Sequence, residues 1–242
     1  MAARPPIAIA TLGRIDYASA FALQRDLVAA RVADQIPDCL LLLEHPPTIT
    51  HSYTGRGAEH LLGDPATLAA RGVTLHPTDR GGDITFHGPG QLVGYPIVKL
   101  DEGRGERDLH RYLRSLEEVL IATATTYGVA TCRVPGRTGT WLPDGSRKLA
   151  AIGVKASRWV TLHGFALNVS VDLSFFELIV PCGLGDAGVV NLADLVDGPV
   201  PTLPQVAERA AAEFCRIFGR ETSPAGEALS ILLRKRERMP WP

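Results

Sequence analysis

A chain of 242 residues has room for one large domain or two small ones, and is long enough to bury a full core. Hydrophobic residues at 45% and charged residues at 21% are ordinary globular values. The formal net charge of -1 gives no overall field to recruit nucleic acid or an anionic membrane surface, which argues against either partner.

Cys39, Cys132, Cys182 and Cys215 form no C-x-x-C pair and have no close histidine spacing, so neither a structural zinc site nor a disulfide framework is expected. After Arg4 come two prolines and no apolar stretch of signal-peptide length. The longest apolar run, Cys39 to Leu43, is too short to span a bilayer. The expectation is a reduced, soluble, cytoplasmic protein.

In chain order, Ile7 to Ala10 reads as a short strand. Asp16 to about Gln35 reads as a helix, with Ala20, Leu23, Leu27 and Ala30 on one stripe and Pro37 closing it. The unbroken apolar run Cys39–Leu43 predicts a central strand covered on both faces. Residues 48–72 are rich in Thr, Gly, His and Arg and read as loop, with a short helix near Pro65 to Ala70. Within them, Thr54-Gly55-Arg56-Gly57 reads as a surface loop, with a nucleotide-binding glycine loop as the alternative. Val73 to His76, Gly82 to His87 and Leu92 to Leu100 follow as strands.

Asp108 to Tyr127 carries the clearest helical repeat, Leu109, Leu113, Leu116 and Leu120, with Gly128 as its left-handed terminator. Val129 to Val134 and Gly139 to Leu142 read as strands, and Lys148 to Lys155 as a strand paired with Val160 to Val169. Pro204 to Phe218 and Ala225 to about Arg236 read as helices. Strands come in clusters without strict strand–helix alternation, so a mixed, largely antiparallel α/β (α+β) architecture with packed helices is expected. Without a linker or repeat, residues 1–242 read as one domain.

The stretch Arg80-Gly81-Gly82-Asp83-Ile84-Thr85-Phe86-His87-Gly88-Pro89-Gly90-Gln91-Leu92 sits among strand-like segments yet contains four glycines. Glycine inside a strand weakens it unless the backbone must bend or be closely approached. A bulged strand ending in a turn is one reading. Arg80 and His87 flanking the bend add a fixed cation and a proton donor, and favour the wall of a ligand site. His163-Gly164 repeats the device.

Cys182 follows a proline and precedes a glycine, a constrained turn from which a nucleophile could project. Its thiol would need a nearby cation or base, for which Lys148, Lys155, His87 and His163 are the candidates. Lys148 heads the apolar strand Leu149-Ala150-Ala151-Ile152-Gly153 and reads either as a partly desolvated proton-transfer group or as a solvated strand end.

Taken together, Arg80-Gly81-Gly82, Thr85, His87-Gly88-Pro89-Gly90-Gln91-Leu92, Tyr95-Pro96, Lys148 to Gly153, Trp159, His163 to Asn168 and Pro181-Cys182-Gly183 resemble the lipoyl(octanoyl) transferase family in order and spacing. Phe86 stands where that pattern has Tyr before the histidine. The resemblance implies the biotin/lipoate protein ligase-like fold and octanoyl transfer from acyl carrier protein to a lysine of lipoyl domains. The acceptors it implies are those of 2-oxoacid dehydrogenase complexes and the glycine cleavage H protein. It implies Cys182 as acyl-thioester nucleophile and Lys148 as its activating partner. The implied substrate pocket comprises Arg80, Gly81, Gly82, Asp83, Ile84, Thr85, Phe86, His87, Ala151, Ile152, Gly153, Gly164, Phe165 and Ala166. No ATP, other cofactor or metal is expected. The rival readings are an ATP-dependent lipoate or biotin ligase of the same fold, a cysteine hydrolase, and a silent acyl-binding domain. Arg234-Lys235-Arg236 with Arg238 reads as a solvated helix end, or as a contact for the acidic carrier.

Overall fold

The computed structural model describes residues 4–53, 59–180 and 187–235. Gly55-Arg56-Gly57, Pro181-Cys182-Gly183, Arg236 and Arg238 therefore lie outside the described residues. The strands are β1 (Ile7–Arg14), β2 (Asp38–Glu44), β3 (Thr48–Ser52), β4 (Thr74–Thr78), β5 (Ile84–His87) and β6 (Gln91–Ile97). They continue with β7 (Cys132–Val134), β8 (Arg137–Trp141), β9 (Arg147–Ser157), β10 (Val160–Asn168), β11 (Gly188–Val189) and β12 (Thr222–Ser223). The α-helices are α1 (Tyr17–Val32), α2 (Pro65–Ala70), α3 (Leu109–Thr125), α4 (Leu203–Phe218) and α5 (Gly226–Lys235).

Among the described residues, nine strands form a large sheet in the order β12-β1-β2-β6-β10-β9-β8-β7, with β11 added alongside β9. β1 runs parallel to β2 and β12; the remaining neighbours along that order are antiparallel. The mixed α+β architecture expected from the sequence is the one observed. Strand β2 shows why an unbroken apolar run was needed. Its side chains alternate between two cores, Leu40 and Leu42 facing α3 and α4, and Cys39, Leu41 and Leu43 facing α1. Both faces of the strand are thus removed from water, as a strand at the centre of a three-layer fold requires.

The helices are stopped and started by local chemistry. Asp16 and Asp108 accept hydrogen bonds from Ser19 N and Arg111 N at the starts of α1 and α3. Thr202 and Gln205 form a reciprocal capping box at α4, which ends on left-handed Gly219. Val119 and Leu120 of α3 pack with Val206 and Phe214 of α4 on one face of the sheet. On the other face α1 packs with Leu229 of α5.

Residues 48–52, expected as loop, form β3. It is the centre of a separate three-stranded sheet ordered β4-β3-β5, parallel to β4 and antiparallel to β5. Ile49, Ile84 and Phe86 build its core with Leu68 of α2 and Phe176 and Leu178 of a 3-10 turn, Leu173–Leu178. This small sheet is joined to the large one by the hydrogen bond from Gly81 N to Val154 O, 2.9 Å, and to α1 by Tyr17 Oη donating to Thr78 Oγ1, 2.8 Å. No helix among the described residues is long and apolar enough to cross a membrane.

Candidate active site

Between the two sheets lies a cavity of about 310 Å³. Its floor belongs to β9 and β10, where Ala151 pairs with Ala166 and Gly153 with Gly164. Two adjacent cross-strand pairs therefore present only hydrogens and methyl groups, leaving space where larger side chains would meet the opposite sheet. At Gly153 the constraint is steric: a Cβ would stand 2.7 Å from Gly81 O, because the small sheet crosses there. At Gly164 a Cβ would stand 2.1 Å from Gly94 O, on the neighbouring strand β6.

The opposite wall comes from the segment leading into β5: Arg80, Gly81, Gly82, Ile84, Thr85 and His87. Arg80 is buried and held by its guanidinium, which donates to Thr50 O (2.9 Å), Thr50 Oγ1 (3.0 Å) and Gly81 O (3.1 Å). His87 is also buried. Burial, reinforced by nearby His45, pushes its pKa down to about 3, so it is neutral at physiological pH. Its Nδ1 lies 2.8 Å from Gln91 Oε1. The Gln91 amide nitrogen is committed to Phe86 O and Asn168 Oδ1, so Nδ1 must be the donor and Nε2 the unprotonated nitrogen.

Beneath His87, a buried aromatic layer fixes its ring. Tyr17 stacks on it with ring centroids 6.2 Å apart, and His45 meets it edge-on at 5.7 Å. His45 donates from Nδ1 to Ile15 O and accepts at Nε2 from Tyr95 Oη, both at 2.7 Å. Burial pushes its pKa down to about 4.

At the far side of the floor, β10 bends at His163, whose φ is +58° and whose N–H turns to Gln24 Oε1 at 2.7 Å. The His163 side chain meets Asp79 at 2.8 Å, and Lys155 donates to the other oxygen of the same carboxylate at 2.7 Å. Burial opposes ionisation of Asp79, but these two hydrogen bonds prevail and hold its pKa below the usual carboxylate value. Burial lowers the pKa of His163, partly offset by Asp79. This clasp ties the small sheet to β9 and β10 beside the cavity.

Lys148 lies at the start of β9, paired with Trp141 of β8 and with Val189 of β11. The residue is 8% exposed, and Nζ sits 4.7 Å from the centroid of the Trp141 ring. The amine therefore borders the cavity from within the fold rather than extending into solvent from a strand end.

Of the residues singled out from the sequence, Arg80, Gly81, Gly82, Ile84, Thr85, His87, Lys148, Ala151, Ile152, Gly153, Gly164, Phe165 and Ala166 all line this one cavity. Phe86 and Asp83 do not. Phe86 points into the small-sheet core, stacked on Phe175 with centroids 4.8 Å apart. Asp83 pairs with His60. Cys182 lies outside the described residues. The sequence reading overlooked Tyr17, Tyr95, Leu113, Val154 and residues 136–138, which with His163 complete the lining. Of these, Tyr95 stood in a stretch noted for the resemblance, whereas Tyr17, Leu113 and Val154 had been read only as parts of helices and a strand. Among the described residues, no group of three or more His, Cys, Asp or Glu is gathered as a metal site.

A large mixed sheet, a small sheet docked across it and an apolar-floored cavity with a buried lysine define a catalytic domain of the lipoate-ligase type. The bipartite lipoate protein ligase of Thermoplasma acidophilum superimposes with a TM-score of 0.73 at 17% identity, covering 96% of this chain and 92% of that one. The chain belongs to the family described as the lipoyl protein ligase A/B catalytic domain, which matches residues 16–215. It is 52% identical over 208 residues to the octanoyltransferase of Chloroflexus aggregans, covering 86% of this chain and 92% of the relative. It is 50% identical over 222 residues to the octanoyltransferase of Acidobacterium capsulatum, covering 87% and 89% respectively.

Proposed function

We propose that this protein is a cytoplasmic octanoyltransferase, a single catalytic domain over residues 1–242, that moves an octanoyl group from acyl carrier protein to a lysine of a lipoyl domain. Acceptors of that kind are the lipoyl domains of 2-oxoacid dehydrogenase complexes and the glycine cleavage H protein. The observation that carries the reading is Lys148, buried at the edge of a cavity whose floor is opened by the Ala151·Ala166 and Gly153·Gly164 pairs. The half-identical relatives named above, both octanoyltransferases, support an octanoyl chain as its occupant.

Cys182 is the nucleophile in this reading. Val189, the neighbour of Lys148 across β11 and β9, follows it a few residues along the chain. The ordinary thiol pKa, about 8.5, leaves only a few per cent thiolate at neutral pH, and an ammonium beside the sulfur raises that fraction. The Cys182 thiolate attacks the carrier thioester carbonyl, and the carrier's sulfur leaves with a proton from the Lys148 ammonium. Lys148 is then a neutral amine. The acceptor lysine, entering as its free amine, attacks the Cys182 thioester and gives its surplus proton to Lys148, and the Cys182 thiolate departs. The ammonium–thiolate pair is restored.

One thioester replaces another in the first half, which is near thermoneutral, and an amide replaces a thioester in the second, which is downhill. Neither ATP nor a metal is required. Backbone N–H groups beside the cavity glycines are the donors available to the tetrahedral oxyanion.

Intact-mass measurement after incubation with octanoyl carrier protein tests the assignment. One octanoyl adduct is expected, absent in Cys182→Ala and slow to form in Lys148→Ala. An adduct that persists in Cys182→Ala, or activity that requires free octanoate and ATP, would overturn it.

A further inference from the structure

Lys148 borders a second, smaller chamber of about 20 Å³, lined by Thr85, Gln91, Ala151, Asn168, Phe176 and Val189. A volume of that size admits about one water, provided two or more polar partners face it. Gln91 and Asn168 are cross-strand neighbours on β6 and β10, and their amides are mutually oriented. Gln91 Nε2 donates to Phe86 O (3.2 Å) and Asn168 Oδ1 (2.9 Å), and Asn168 Nδ2 lies 3.4 Å from Val190 O. The two carbonyls can only accept, so both amides have a fixed sense. Gln91 Oε1 already accepts from His87 Nδ1. One lone pair then remains on Gln91 Oε1 and one on Asn168 Oδ1. The unused capacity of these two oxygens is for accepting.

We propose that this chamber holds one ordered water that accepts a hydrogen bond from the Lys148 ammonium and donates to Gln91 and Asn168, making these two amides positioning residues for the lysine. The inference rests on Lys148 being the proton-handling partner in the proposed reaction. Its chemical content is a preference for the ammonium over the amine, the form needed to accompany a thiolate and to protonate the departing thiol. The charged and titratable groups lining the main cavity with Lys148 are Arg80, Arg137, His87, His163, Tyr17 and Tyr95. The two arginines are cations that disfavour a second positive charge nearby; opposing them are the chamber's two acceptor oxygens and the buried carboxylate of Glu117 on α3, which accepts from Gly139 N of β8 beside the Lys148 stem. His87 stays neutral down to low pH, so the sense of its bond to Gln91 holds throughout the working range.

The test is single-turnover octanoyl uptake by the full chain from octanoyl carrier protein, followed from neutral to alkaline pH. Gln91→Met removes an acceptor at nearly constant volume; its alkaline limb should move down by about one pH unit. Asn168→Asp places a carboxylate at the other amide while keeping the oxygen that accepts from Gln91 Nε2, and its limb should move up by about as much. Opposite displacements support the proposal, because a merely structural role lowers the rate without moving the limb in two directions. Limbs that stay in place, or that both move the same way, overturn it. A high-resolution crystal structure should show a water within hydrogen-bond distance of Lys148 Nζ, and a dry chamber would overturn it too. Lys148→Ala separates the two readings. Full-rate acylation of that variant removes the proposed role of Lys148 itself, whereas lost acylation with unmoved Gln91→Met and Asn168→Asp limbs removes only the water.

Discussion

Chain-length selection can be tested at the cavity floor with Ala151→Val. Ala151 is half-buried and faces the cavity from β9, and valine is at ease in a strand, so the added methyl groups project into the space assigned to the tail. An octanoyl tail has about seven carbon groups beyond its carbonyl; at about 0.8 kcal/mol each their burial is worth roughly 5–6 kcal/mol gross. Two added methyl groups displace about two of those carbons, at a cost of about 1.6 kcal/mol, or about fifteenfold. The assay is competition between hexanoyl and octanoyl carrier protein in single-turnover acylation of the full chain. Octanoyl should lose about fifteenfold against hexanoyl, while the hexanoyl rate changes little. Equal losses for both donors, or no change for either, would refute the placement of the tail over this floor.

Other perturbations probe the frame around the cavity. Gly164→Ala forces a Cβ to 2.1 Å from Gly94 O and 2.6 Å from Pro96 Cδ, neither of which is a flexible side-chain end. Overpacking of about 3 kcal/mol should lower the melting temperature by about 6–12 °C; a melt within a degree of wild type would contradict the strand spacing. Asp38 is buried, accepting from Arg31 Nε at 2.6 Å and paired with buried Arg220. Asp38→Asn leaves buried Arg220 uncompensated, while Arg31 keeps Asp34, and should cost about 3–5 kcal/mol in denaturant unfolding. The pH dependence of stability follows from His45 and His87, whose folded pKa values of about 4 and about 3 lie below the ordinary 6.5. The unfolded chain binds these protons first, so their stabilisation is complete above about pH 6.5 and falls steadily as pH drops toward 4 and then 3. Unfolding free energies that stay flat from pH 6.5 to about 4 would contradict neutral burial of these rings.

The large sheet and its helices were readable because their signals are local. The Cys39–Leu43 run, the leucine repeat of α3 and the Gly128 terminator each require only neighbouring residues to interpret. Strand β3 escaped for a physical reason. Thr48, Thr50 and Ser52 are buried, and Ile49, which points the other way, is buried too, so polarity does not alternate with the pleat. The hydroxyls are satisfied locally: Thr48 Oγ1 donates to Pro46 O and Thr50 Oγ1 accepts from Arg80. The two-residue strands β11 and β12 are too short to carry any period. At the site, the glycine-rich wall and the β9–β10 floor were visible as motifs. The orientation of β5 was not. Its alternation turns Phe86 into the small-sheet core, packed near Gly88, whereas Thr85 and His87 reach the cavity. Leu113 on α3 and residues 136–138 arrive from across the fold, and no local pattern announces such a meeting.

The Gly153·Gly164 and Ala151·Ala166 pairs leave the floor little freedom to change. Two of the four residues already have the smallest side chain possible, and at the other two every replacement except glycine is an enlargement. Variation there runs in one direction, toward a shallower cavity. A deeper cavity has to come from the opposite wall, where Thr85 reaches it from β5. The molecule thus separates its two adjustments: the large sheet sets an upper limit on what fits, and the elements facing it are where that limit can be raised.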